Sequence, residues 1–133
     1  MTPPVSLRPT TAEDTDFLSA VYASTRMEEL ETTGWTDEQK AGFCRMQFEA
    51  QDAHYRAHYP TAAYCVIQTS DATPVGRLYV DRWKSEIRIM DIAILPAHRG
   101  TGIGTTLLEN LQQEAAASGK SLSIHVERFN PAL

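Results

Sequence analysis

Arg99-Gly100-Thr101-Gly102-Ile103-Gly104 is the stretch that decides how this chain folds. Before it lies an apolar run, Ile87-Arg88-Ile89-Met90-Asp91-Ile92-Ala93-Ile94-Leu95, which reads as a buried strand. After it, Leu107, Leu108, Leu111 and Ala115 recur at helical spacing between Thr105 and Ser118. A strand, a glycine-rich turn and a helix start gather several backbone N–H groups around one point. The helix dipole adds partial positive charge there, and Arg99 adds a full one. Glycines let the backbone approach phosphate oxygens with no Cβ in the way. The stretch suits a pyrophosphate.

Three nucleotide motifs compete for it, and spacing separates them. A P-loop needs Gly-x-x-x-x-Gly-Lys-Ser/Thr, and no lysine follows Gly104. A dinucleotide fingerprint counted from Gly100 and Gly102 reaches Thr105 where a third glycine or alanine belongs. The third pattern, Arg/Gln-x-x-Gly-x-Gly/Ala, is met in full by Arg99, Gly102 and Gly104. It is similar to the acetyl-CoA signature of the GNAT superfamily of N-acetyltransferases. The resemblance extends along the chain. Val5 to Asp14 resembles a first strand entering a first helix. Val75-Gly76-Arg77-Leu78-Tyr79-Val80 resembles the third strand, and Leu122 to Ala132 a fifth strand running into an Asn-x-x-Ala-type helix opening.

Composition agrees. The chain has 133 residues, enough for one domain and one core. It carries 12 basic against 17 acidic residues, a net charge of −5, with no basic run, so no nucleic acid is expected as a partner. No segment has the apolar length to span a membrane, and none is expected to bind one. Met1-Thr2-Pro3-Pro4 lacks a signal-peptide pattern, so the expected location is cytoplasmic. Cys44 and Cys65 lack a CxxC spacing and read as reduced core residues rather than a disulfide.

The fold class expected is α/β, a mixed sheet in the order β-α-α-β-β-β-α-β, forming a single acetyltransferase domain over residues 1–133. Strand 5–8 precedes a helix over about 12–24 capped by Thr11, then a helix over about 37–57 opened by Thr36 with Gln39 at the capping-box position. Strands at about 62–69 and 75–83 flank the turn Ser70 to Pro74, and strand 86–95 follows. A helix over 105–118 ends at Gly119, and strand 121–126 closes the order. In the family a further helix and two strands follow, often with a tyrosine that protonates the thiolate. Those elements are absent from this sequence, so the domain is expected to be incomplete at its C-terminus, and the apolar edge of the fifth strand to be covered by a longer chain or by a second copy in a homodimer.

The resemblance implies acetyl transfer from acetyl-CoA, as co-substrate and without a metal, to a small-molecule or peptide amine. It implies that backbone groups of Ile92 and Ile94 pair with pantetheine, that an N–H near Ile92 is the oxyanion donor, and that Asn130 contacts the pantetheine arm. Arg99, Gly100, Thr101, Gly102, Ile103, Gly104 and Thr105 would surround the pyrophosphate. Gly102 and Gly104 read otherwise as a tight turn, and Asn130 before Pro131 as a turn or cap.

The general base is less clear-cut, because Met90 and Arg88 stand where a glutamate often does. Glu86 is the first candidate, through a water. Glu127 is another, and a bulk-water relay is the alternative. Strand alternation puts Asp91 on the opposite face unless a bulge rotates it. Glu28, Glu29 and Glu31, with Trp35, either attract a cationic amine or form a solvated acidic helix end. His54 and His58 have a metal-capable i, i+4 spacing without a third ligand. Direct transfer is favoured over a covalent intermediate on Cys44 or Cys65. The rival function is an acyl-CoA-binding regulatory module with little turnover.

Overall fold

The computed structural model describes residues 2–124. They fall into two compact units, residues 2–10 with 61–124, and residues 11–60.

The first unit is a five-stranded sheet in the order β1-β2-β3-β4-β5. Its strands are β1 (Val5–Pro9), β2 (Ala63–Thr69), β3 (Pro74–Arg82), β4 (Glu86–Ile94) and β5 (Ser121–Ile124). The first four pair antiparallel, and β5 lies parallel to β4. A parallel neighbour needs a crossover, which α3 (Ile103–Ser118) supplies. The α3 stripe Ile103, Leu107, Leu111 and Ala115 packs on Ile67, Val75, Leu78, Val80, Ile87 and Ile89, all buried. Each fully buried aliphatic side chain there contributes about 1.5–3 kcal/mol of transfer free energy. Arg82 of β3 clasps Glu114 of α3 through two hydrogen bonds of 2.6 and 3.0 Å. Its guanidinium lowers the Glu114 pKa. The helix starts at Ile103, two residues earlier than its apolar period indicated. Gly102, with φ of 87°, reverses the chain sharply enough for the helix to begin at once.

One irregularity reshapes β4. Tyr79 pairs with Asp91 but Val80 pairs with Ile89, so Met90 is an extra residue in the strand. Simple alternation would place Asp91 on the face opposite Glu86. The bulge corrects that expectation. Asp91 now shares the side of Glu86 and Arg88, away from the α3 core, while Ile87, Ile89, Ile92 and Ile94 face the core. Close strand approach is also visible at Gly76, opposite Ile94, where any Cβ would collide with the Ala93 carbonyl oxygen.

The second unit holds α1 (Thr15–Glu31) and α2 (Asp37–His58). Thr11 and Asp14 form a capping box on a short 3-10 turn that leads into α1. Thr36 and Gln39 form the same box at the start of α2, as the sequence indicated. The first helix continues seven residues past the expected end, so Glu28, Glu29 and Glu31 are its last turn rather than a connecting segment. Buried side chains on α2 are Cys44, Gln47, Phe48, Gln51 and Tyr55.

Gln47 is anomalous among them. It is 1% exposed, and neither amide atom has a hydrogen-bond partner among the described residues. An unpaired buried polar group costs about 1–3 kcal/mol, and methionine fills a similar volume without polar demands. Gln47→Met should therefore stabilise the protein by about 1–3 kcal/mol in urea unfolding. A loss of stability would mean that the carboxamide is satisfied by a group outside the described residues.

Candidate active site

The fourth strand ends beside the glycine-rich loop. From Ile94 the chain passes through Leu95, a 3-10 turn over Pro96–His98, and Arg99 into Gly100 with φ of 76°. The Thr101 hydroxyl donates to the His98 carbonyl at 2.8 Å and pins the loop. Gly102 then stands at the N-cap of α3 with no side-chain cap, and no acidic residue occupies the first helical turn. By contrast α2 has a full capping box and acidic Asp37 and Glu38 in its first turn. The N–H groups at the start of α3 and its positive dipole end thus lack a side-chain acceptor or countercharge from the helix itself. Such an end suits an anion. Gly104 and Thr105 lie in this first turn, Thr105 exposed and Ile103 buried in the core.

Arg99 has a second task. Its Nε donates to the Ile94 carbonyl at 2.8 Å, which closes the loop back onto the strand end. The guanidinium Nη groups have no partner among the described residues, so they can face a phosphate while Nε holds the loop.

The bulged strand offers a free edge beside this loop. Leu95 N–H donates to the Val75 carbonyl at 2.9 Å across the Gly76–Ile94 pair. In an antiparallel ladder that bond marks Ile94 and, two residues earlier, Ile92 as residues whose own N–H and C=O point away from β3. On that outer side β5 pairs with β4 only from Glu86 to Ile89. Among the described residues, no strand pairs with the edge at Ile92 and Ile94, where the Ile94 carbonyl is already taken by Arg99. Their side chains pack on the core, so backbone groups alone are presented.

The titratable candidates lie elsewhere. Glu86 stands at the start of β4, where Arg88 Nε donates to its carboxylate at 3.0 Å and the Ser123 hydroxyl donates to the same oxygen. Six residues of strand, about 20 Å, separate it from Ile92. A span of that order is long for the single water expected to link Glu86 to the amine. Asp91 is closer but committed. Arg77 Nε and Nη2 donate to its two carboxylate oxygens at 3.1 and 2.8 Å, with side-chain exposures of 2% and 8%. The Arg77 guanidinium also lies 5.0 Å from the Tyr79 ring centroid. Glu127 and Asn130 fall outside the described residues.

The remaining candidates sort by their contacts. Glu29 accepts from Arg26 at 3.0 Å, so it is neutralised rather than offered to a cation. His54 and His58 stack with ring centroids 4.2 Å apart, and the His58 ring also bonds the His54 carbonyl. No group of three or more potential metal ligands occurs among the described residues. Both cysteines are free, and burial raises both thiol pKa values, which opposes thiolate formation. No helix among the described residues is long and apolar enough to cross a membrane. A bulge able to turn Asp91 was allowed for, but its place at Met90 and the partner Arg77 escaped sequence reading. The acidic Asp91 inside an apolar run was their one visible sign.

Known proteins share this architecture. Among solved structures, the PaiA N-acetyltransferase from Thermoplasma acidophilum in complex with coenzyme A superposes with a TM-score of 0.60 at 15% identity, covering 96% of this chain and 82% of that one. A GCN5-related N-acetyltransferase from Rhodopseudomonas palustris gives 0.52 at 24% identity, with 90% and 69% covered. A ribosomal-protein-alanine N-acetyltransferase from Brucella melitensis biovar Abortus 2308 gives 0.54 at 14%, with 94% and 82% covered. These likenesses establish the fold. No curated protein matches the sequence. The model of the acetyltransferase (GNAT) family, however, matches residues 24–133, which takes in the loop, the bulged strand and α3. This chain belongs to the GNAT acetyltransferase family.

Proposed function

We propose that this protein is an N-acetyltransferase that moves an acetyl group from acetyl-CoA directly to a primary amine. The observation that carries the reading is the juxtaposition of an uncapped α3 N-terminus behind Gly100 and Gly102 with the open β4 edge at Ile92 and Ile94. One end suits a diphosphate and the other an extended amide-bearing arm. Acetyl-CoA supplies an activated thioester. Backbone N–H groups from Gly100 to Thr105, with the Arg99 Nη groups, hold the diphosphate. The backbone of Ile92 and the N–H of Ile94 offer partners to the arm, the Ile94 carbonyl being held by Arg99. The Ile92 N–H, aimed outward, stabilises the oxyanion that forms when an amine attacks. The amine must be neutral to attack, and with the β4 carboxylates engaged its proton leaves to water. The raised thiol pKa values favour direct attack over a cysteine intermediate.

A second reading, an acyl-CoA-binding module with little turnover, is favoured by one observation. Glu86 and Asp91 are both tied to arginines, which leaves β4 without an available base. Calorimetry with CoA and thiol release from acetyl-CoA, measured over a panel of primary amines, separate the two. Transfer predicts binding plus amine-dependent thiol release. Tight binding with no release above hydrolysis for any amine would leave the module, and no binding would sink both.

A further inference from the structure

The segment ahead of β1 reaches the glycine-rich loop. The first four strands pair antiparallel in sequence order, so the start of β1 and the end of β4 share one end of the sheet. At that end Val5 is partly buried against the core that α3 covers, and Thr2-Pro3-Pro4 belongs to the same compact unit. A Cβ on Gly102 would lie 2.5 Å from the Thr2 hydroxyl oxygen, against 3.6 Å from the Thr2 Cβ and Cγ2. A carbon–carbon bond is about 1.5 Å, so the hydroxyl oxygen stands within about 4 Å of the Gly102 backbone. The polar atom of Thr2 is the one turned to the loop.

That hydroxyl is held there without being used. It makes no hydrogen bond to any described residue, although the uncapped helix α3 begins one residue after Gly102. Thr2 is therefore not a cap lent to α3 by another part of the chain. Pro3 and Pro4 have φ fixed at about −65°, and a residue before a proline is confined to extended backbone. Thr2 and Pro3 each precede a proline, and both are half-buried, so the segment presents the hydroxyl from a stiff support. A hydroxyl donating to an anionic oxygen forms a bond roughly twice as strong as a neutral one. With its backbone already restricted, Thr2 has little conformational entropy left to lose in making it.

We propose that Thr2 is a ligand of the acetyl-CoA diphosphate, its hydroxyl donating to a phosphate oxygen at the start of α3. This rests on the acetyl-CoA reading above and extends it to a residue outside the glycine-rich motif. It also gives Gly102 a second reason to lack a side chain, since a Cβ there would take the space of the hydroxyl.

The test is calorimetric titration with CoA and with dephospho-CoA, which lacks the 3′-phosphate, on protein with no tag at its N-terminus. Thr2→Val removes the hydroxyl at nearly constant shape, and Thr2→Ser keeps it. Wild type and Thr2→Ser should bind alike, whereas Thr2→Val should bind both ligands about tenfold more weakly, and at least about threefold. The KM for acetyl-CoA should rise by the same factor with kcat little changed. Thermal melting verifies that each variant is folded, and if Thr2→Val is not, Thr2→Ala is held to the same criterion. Affinity in Thr2→Val equal to or tighter than wild type would overturn the assignment while leaving the acetyl-CoA reading intact. A loss confined to CoA would put the hydroxyl on the 3′-phosphate and overturn it as well. Thr2-dependent binding without amine-dependent thiol release would uphold the residue and overturn transfer. No binding of CoA by wild type would overturn both.

Discussion

Asp91→Ala should cost about 3–5 kcal/mol of folding stability, the usual consequence of stripping one partner from a buried ion pair. Arg77 is 2% exposed, and both Asp91 oxygens accept from it. Removing the carboxylate leaves a guanidinium in the sheet with no countercharge at that position, and a buried arginine cannot shed its proton to escape. Against a total stability of about 5–15 kcal/mol for a domain of this kind, the loss is a large share. Urea unfolding of wild type and variant measures it. The pair itself is expected to contribute much less than its breakage suggests. Replacing both residues, Arg77→Met with Asp91→Leu, should recover most of the loss, because desolvating two charges nearly cancels their attraction. A single variant within 1 kcal/mol of wild type would show that water reaches the pair and that it is not buried in solution.

This pair also marks where sequence reading stops. The glycine-rich loop, the capping boxes at Thr11 and Thr36 and the stop at Gly119 were legible because each is set by residues within one turn of chain. The place of the bulge at Met90 was not, since it depends on how β4 registers against β3, and Asp91 in an apolar run was its one local sign. The consequence reached the site. By alternation Asp91 belonged to the face opposite Glu86, and only the extra residue turns it toward Arg77, 14 positions earlier. The outward aim of Ile92 and Ile94 was expected from the family pattern, and the ladder geometry gives it a physical cause. The acidic cluster was read from charge and from Trp35 near it in sequence, which counted Glu28, Glu29 and Glu31 as equals. Pairing is a matter of three-dimensional neighbours, and it removes Glu29 from that set by way of Arg26, a residue that composition could not single out.

Thr105→Glu should weaken CoA binding by tenfold to a hundredfold while leaving the fold as stable as before, or slightly more so. Thr105 is exposed in the first turn of α3, where the helix has no acidic residue and no side-chain cap. A carboxylate at that end interacts favourably with the dipole, by about 0.3–1 kcal/mol, so the substitution is not disruptive in the free protein. The same carboxylate would repel a diphosphate held by the loop. At about 5 Å and an effective dielectric of roughly 20–80, each charge pair costs on the order of 1–3 kcal/mol. Every 1.4 kcal/mol is about tenfold in affinity. Substitution at Gly102 would be a poorer probe. Its φ of 87° strains any other residue, and a Cβ there would meet the Thr2 hydroxyl oxygen at 2.5 Å, so lost binding could reflect a damaged loop. Gln112→Glu, exposed further along α3, makes the same change in net charge and separates a local effect from a global one. Calorimetric titration with CoA at low and high salt, beside thermal melting, gives the answer. The loss in Thr105→Glu should shrink as salt screens the repulsion, and Gln112→Glu should bind like wild type. Equal affinities in all three proteins would place the diphosphate somewhere other than the α3 N-terminus.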